Sequence, residues 1–167
     1  MRVFDPARQN VARLRSAFGR FATGVAVVTF DGLEKRHGLT VNSFTSVSID
    51  PPLVLVSIAR TTAAHDQLEG RPFTVNILGA EQEKVALHFA GRPDRDPEWV
   101  EGDVAPRLAG ALAHFECNAW RSYDGGDHTL YLGEVVGFDY RDGDALGFSN
   151  SRFTVVPEIS LGVEYLL

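Results

Sequence analysis

The stretch TVNSFTSVS at 40–48 is the densest run of neutral hydrogen-bonding groups in the chain, with Thr40, Asn42, Ser43, Thr45, Ser46 and Ser48 around Phe44. Hydroxyls and an amide donate and accept without bringing net charge. Beside an opening on a half-buried strand they suit a polyol, a phosphate or a heterocycle edge. On a solvated strand face they are ordinary β-surface residues, and the local sequence is compatible with both. A second group, Ser57, Ala59, Arg60, Thr61 and Thr62, falls where an apolar strand ends and a helix is expected to start. Unsatisfied N–H groups at a helix start together with an arginine make a phosphate seat, and a plain cap at Thr61 or Thr62 beside a surface arginine explains the same residues. His128 is the third candidate. It follows SYDGGD and opens a strand, so its ring falls at a sheet rim, either as a turn histidine or as a hydrogen-bonding or proton-handling group beside a pocket.

Other chemistries lack their residues. There is no GxGxxG fingerprint and no GxxxxGK[ST] loop. His37, His65, His88, His114 and His128 form no HExxH or His-X-His group, and the single cysteine, Cys117, excludes a four-thiolate site and an intrachain disulfide. No metal site is expected. Cys117 sits in an apolar–polar strand pattern and reads as a small core residue, and Glu134 and Asp139 have no spacing partner for glycosidase-like work.

The elements that must position these residues follow from periodicity and punctuation. Asp5-Pro6 starts a helix, and Val11, Leu14, Phe18 and Phe21 or Ala22 recur at helical spacing, which predicts an amphipathic helix over 6–21. Strands are expected at 24–30, 39–49, 53–59, 72–78, 111–120, 128–140 and 145–150. The polar turns DGLEKRHG at 31–38, SYDGGD at 122–127 and RDGD at 141–144 divide them, and Asp50-Pro51-Pro52 interrupts before the 53–59 strand. Short helices are expected at 62–69, ended by Gly70, and at 81–91, stopped by Gly91. Residues 92–108 are too polar and proline-rich for a regular element and read as a surface loop or a flap over a ligand or partner. Long strands with Gly/Asp turns and short helices favour a curled antiparallel barrel over a doubly wound sheet.

The chain has 167 residues, 16 basic and 22 acidic, for a net charge of -6, which argues against nucleic acid or an anionic membrane as main partner. One domain is expected over 1–167, with a core at about 10–155 and a tail at 156–167. The start MRVFDPARQN has no apolar run or cleavage region, and no segment has the apolar length to span a bilayer, so a cytoplasmic protein is expected.

In order along the chain, FATGVAVVT at 21–29, GLTVNSFTSVSIDPPLVLVSI at 38–58, FTVNIL at 73–78, EKVALHFAG at 83–91, ALAHFECNAW at 111–120 and GDHTLYLGEV at 126–135 resemble the flavin reductase-like family. These are the small reductase components of two-component flavin monooxygenases. The resemblance implies a mainly β FMN-binding split barrel with short flanking helices. It also implies a homodimer with flavin near the subunit interface. It assigns Asn42, Ser43, Phe44 and Thr45 to the isoalloxazine and ribityl chain, and Ser57, Ala59, Arg60 and Thr62 to the ribityl and phosphate end. Phe89 and Ala90 border the flavin, and His128 matches the histidine of a GDH motif near the nicotinamide. Asn150, Arg152 and Phe153 border the nicotinamide side, although LGFSNSRF at 146–153 departs from the family's usual ending.

The implied reaction is hydride transfer from NADH or NADPH, with NADH favoured, to FMN, with FAD possible. Protein groups align the two cofactors, His128 orients the nicotinamide or organises the pocket, and reduced flavin passes to a separate monooxygenase. The alternative implied by the altered ending is an FMN-binding carrier, or a flavoprotein that retains FMN without efficient NAD(P)H turnover.

Overall fold

The computed structural model describes residues 10–158. Among them, helix α1 spans Val11–Phe18, with strands β1 (Thr23–Gly24) and β2 (Ala26–Asp31) following. Next come β3 (Arg36–Val41), β4 (Thr45–Ile49), β5 (Pro52–Ala59), helix α2 (His65–Leu68) and β6 (Phe73–Ile77). A 3-10 turn at Ala80–Gln82 leads into α3 (Glu83–Phe89), and the short strands β7 (Trp99–Val100) and β8 (Arg107–Leu108) pair with each other. The chain then makes two 13-residue strands, β9 (Ala113–Gly125) and β10 (His128–Tyr140), and ends with β11 (Ala145–Ser149) and β12 (Arg152–Val156).

Seven strands form one antiparallel sheet in the order β3-β2-β6-β9-β10-β5-β4, and β1, β11 and β12 form a second sheet. The larger sheet curls because β2, β5 and β6 bury alternating or continuous apolar residues on a common inside. Val28, Phe30, Val54, Val56, Phe73, Val75 and Cys117 meet there. Val25, Val27, Leu78, Ala86, Leu108 and Leu146 make a second cluster between the sheets. Burying such side chains is worth about 1.5–3 kcal/mol each, so the curl is set by the apolar pattern of these strands. The result is the mainly β, split-barrel-like architecture expected from the sequence. Among the described residues no helix is long and apolar enough to cross a membrane.

Several boundaries differ from the expectation, each for a local reason. The first helix spans Val11–Phe18 and buries no residue of its own, leaving Phe18 68% exposed; the Asp5-Pro6 start lies outside the described residues. The strand expected at 24–30 divides at Val25, whose N–H and C=O bond to Leu146 and Leu78, so β1 and β2 serve different sheets. The 39–49 run breaks at residues 42–44 instead of continuing as one strand, and Arg36, His37 and Gly38 join β3 and not the turn. The expected SYDGGD turn is nearly all strand: β9 runs to Gly125, and the reversal needs only Gly126, at φ +76°, and Asp127. α2 has four residues and not eight. The second-sheet strand β12, reaching Val156 in the expected tail, follows a tight reversal in which Asn150 and Ser151 both adopt positive φ.

Candidate functional site

The break at 42–44 matters because Ser43 crosses the split between the two ends of the curled sheet. Its hydroxyl accepts the N–H of Ser57 at 2.9 Å and donates to the carbonyl of the same residue at 3.1 Å. That two-way bond fixes the linker after β3 against β5, although four strands separate β3 from β5 in the sheet order. Above the bridge a cavity of about 520 Å³ opens between Leu39–Ser43 on one side and Ser57–Ala59 with Thr62 on the other. This volume lies in the usual range for a cofactor site, and its walls are of the usual kind, apolar with a few polar groups.

Helix α3 supplies the third wall through Phe89, Ala90 and Gly91. The Thr40 hydroxyl donates to the Ala86 carbonyl at 2.7 Å and holds the helix on β3. Phe89 lies directly over Gly38: a Cβ built there would come within 3.0 Å of three atoms of its ring. A glycine is therefore required by close approach and not by backbone angle. The same ring meets Trp99 edge-on at 5.8 Å, so Phe89 is held from two sides.

His128 stands at the rim, opposite Ala59 in the β5–β10 register. Its Nδ1 lies 2.7 Å from a carboxylate oxygen of Asp127, an arrangement that holds the Asp127 carboxyl below its usual range. With Nδ1 so engaged, the ring's other nitrogen is the one left to serve a ligand. Arg60, by contrast, does not line the cavity. Its guanidinium donates to Asp124 at 2.6 Å and to the Gly126 carbonyl at 2.9 Å, and its backbone N–H bonds the Asp127 carbonyl. The β9–β10 reversal thus holds both Arg60 and His128. Thr62 lines the cavity from a turn, since the four-residue α2 begins only at His65 and not at the expected residue 62.

Of the residues singled out in the sequence, Thr40, Asn42, Ser43, Ser57, Ala59, Thr62, Phe89, Ala90 and His128 therefore share one cavity. Phe44 and Thr45 do not line it. They line a neighbouring, more apolar cavity of about 660 Å³ with Phe21, Ile77 and Phe115, which meets the first at Val41, Asn42 and Ser43. Phe44 stacks on Phe115 there, with ring centroids 5.6 Å apart. Arg152 and Phe153 line a third cavity with Ser16, Arg20 and Asn150, and within one chain they share none with His128. Ser46 and Ser48 pair with β5 on the outer edge strand, and Cys117 is wholly buried, its thiol pushed up to about 12 by burial and then by Glu116.

The support behind this site carries no signal in the sequence. His65, buried at the start of α2, has Nε2 2.8 Å from the Thr129 hydroxyl and Nδ1 2.7 Å from Asp66. The Tyr131 hydroxyl donates to the His65 carbonyl at 3.2 Å, and burial raises the Tyr131 pKa above its ordinary value. These bonds fasten the 60–65 turn to β10 next to His128. No spacing signal links residues 64 and 66 positions apart; only the β5–β10 register brings them together.

The curled split sheet is shared with known proteins. The sequence profile of the family described as "Flavin reductase like domain" matches residues 18–157. The NADH-dependent FAD reductase of Streptomyces globisporus is 48% identical over 143 residues, covering 79% of this chain and 76% of that protein. The FMN reductase (NADH) SmoA of Agrobacterium fabrum is 43% identical over 155 residues, covering 90% of this chain and 89% of that protein. The crystal structure of the flavin reductase component of a bacterial two-component tryptophan halogenase superposes with a TM-score of 0.81 at 43% identity, covering 89% of this chain and 99% of that one. Sequence, topology and extent of match agree, and the chain belongs to the flavin reductase-like family.

Proposed function

We propose that this chain is an NAD(P)H:flavin oxidoreductase that uses NADH in preference, accepts FMN or FAD, and hands reduced flavin to a separate monooxygenase. The observation that carries this reading is the cavity across the β3–β5 split, with polar groups along one wall, the Phe89 ring on another and His128 at its mouth. Relatives named as NADH-dependent reductases support the nicotinamide, and those named as reductase components of monooxygenases support the separate partner.

The donor set fits a flavin. Asn42 and Ser57 offer neutral donors and acceptors of the kind a ring edge and a ribityl chain need, Ser43 retains only acceptor capacity beside its bond to Ser57, and Phe89 offers a flat apolar surface. Thr62, with Arg60 two residues before it, serves the phosphate end once the guanidinium swings from Asp124. Phe44 and Thr45 act from the adjoining cavity. When bound, flavin and nicotinamide supply the hydride chemistry; the chain's residues align them and exclude water. His128, oriented by Asp127, presents its second ring nitrogen to the nicotinamide side.

The working unit in this reading is a cytoplasmic homodimer of single-domain chains. Its support is exposed apolar surface, including Phe18, Phe21 and Ile49, each more than two-thirds exposed in the single chain. Arg152 and Phe153, remote from His128 within one chain, act in such a dimer toward the partner's cavity.

Anaerobic mixing of the protein with FMN, FAD or riboflavin and each nicotinamide, followed by flavin bleaching, tests the proposal. NADH-dependent loss of oxidised flavin is expected. Tight flavin binding without bleaching would instead establish a carrier. Arg60→Ala should weaken FMN more than riboflavin, and equal effects on both would remove the phosphate role.

A further inference from the structure

Arg107 and His114 lie at the opposite end of the β9–β10 pair from His128, and neither takes part in the function proposed above. We infer that the cavity they close is a binding site for a small organic carboxylate, separate from the flavin cavity. It holds about 260 Å³ and shares no lining residue with the cavity at His128.

The guanidinium of Arg107 is the reason. Among the described residues no carboxylate lies within salt-bridge distance of it, whereas Arg36 has two and Arg60 and Arg141 have one each. Its Nε is buried and without a hydrogen-bond partner. Nη1 lies 2.6 Å from Nε2 of His114. An arginine only donates, so Nε2 accepts and the imidazole is neutral. That assignment agrees with burial, and then Arg107, lowering the pKa of His114. A partly buried cation whose one side-chain partner is a neutral ring is poorly compensated.

The other charges facing the cavity do not remove the deficit. Arg141 is already satisfied: it donates to Glu81, to the Gly110 carbonyl at 2.6 Å and to the Asp142 carbonyl at 3.1 Å. Asp139 accepts the N–H of Tyr140 at 2.8 Å and lies beyond ion-pair distance of Arg107. A carboxylate is the anion whose planar pair of oxygens matches a guanidinium, and Arg107 lines the cavity without a carboxylate of its own among the described residues. Val100, Leu108 and Ala111 line the rest and suit an apolar body, and Asp139 suits a donor on its far side.

Benzoate and its neutral isostere benzamide are the probes, titrated calorimetrically into the full chain at constant ionic strength. Saturable binding of benzoate but not benzamide is expected, with Arg107→Gln weakening it by about tenfold or more and Arg60→Ala leaving it unchanged. In the unmutated protein, the ring resonances of His114 should move on titration while those of His128 stay. This second readout holds even if the Arg107 variant does not fold. Absence of saturable benzoate binding, equal binding of benzamide, or a response at His128 would each overturn the inference. So would a change of oligomeric state in Arg107→Gln with benzoate binding intact, because Arg107 would then serve a second copy. None of these outcomes depends on flavin reduction, so this site and the proposed function stand or fall separately.

Discussion

Gly38→Ala tests the wall of the proposed flavin cavity with a single methyl group. The new Cβ would sit within 3.0 Å of three atoms of the Phe89 ring, against the 3.4–4 Å of ordinary contact. The ring cannot simply retreat, since it packs edge-on against Trp99 at 5.8 Å and against His88 at 4.8 Å. Overpacking of this kind costs about 1–3 kcal/mol. An aromatic pair that is broken adds about 0.5–1.5 kcal/mol. A loss of about 2 kcal/mol in urea unfolding is therefore expected. Phe89 also lines the cavity, so flavin affinity, read by fluorescence quenching, should fall by about tenfold for each ~1.4 kcal/mol of displaced wall contact. The decisive arm is Gly38→Ala combined with Phe89→Leu. A smaller side chain leaves room for the methyl, so the double variant should recover at least ~0.5 kcal/mol relative to additivity. Strict additivity, or a Gly38→Ala protein with unchanged stability and flavin affinity, would refute the close approach of Phe89 as the reason for glycine here.

Asn76 is wholly buried; its amide nitrogen donates to the Val27 carbonyl and the Thr29 hydroxyl, and its oxygen accepts the Leu108 N–H at 2.9 Å. Asn76→Ala strands those groups and should cost about 3 kcal/mol in urea unfolding, and a loss under ~1 kcal/mol would contradict the network. Cys117, buried and with its thiol at about 12, should react with a disulfide reagent at pH 8 only as fast as the protein opens globally. Rapid labelling of the native protein would place the thiol elsewhere. His37 and His114 both have pKa values lowered mainly by burial, so the unfolded chain takes up protons first below about pH 6.5. Stability should then decline as pH falls from 6.5, with a lower urea midpoint at pH 5.5 than at 7.5, and a midpoint that rises on acidification would falsify this sign.

The sequence discloses what is local and periodic. The apolar run of β5, the helix ended by Phe89 and the burial of Cys117 are all readable because each depends on neighbours along the chain. The hydroxyl-rich run was readable as a polar site, but its division between two cavities was not, because Ser43 turns on its bond to Ser57 across the split. The transfer of Val25 between two sheets depends on Leu78 and Leu146, far along the chain. β12 escaped notice because the two positive-φ residues that reverse the chain before it are Asn and Ser, without the glycine that usually marks such a turn. The apolar side of α1 illustrates a different limit. Periodicity reveals which residues share a face, whereas what covers that face is decided outside the segment, and here Phe18 and Phe21 project from the chain.

In the proposed function, Asp124 is a built-in competitor for the Arg60 guanidinium. The carboxylate is an intramolecular ligand for the same guanidinium that a phosphate would use, held at 2.6 Å by a strand reversal instead of by free diffusion. Its effective concentration is therefore high and constant. A phosphate arriving there exchanges one anion for another, gaining only the difference between the two attachments. On departure, the vacated cation is immediately taken back by its own carboxylate. With Arg60 in the proposed phosphate role, such an exchange would moderate affinity without giving up recognition and would favour passage over retention. A holder built this way behaves as a relay.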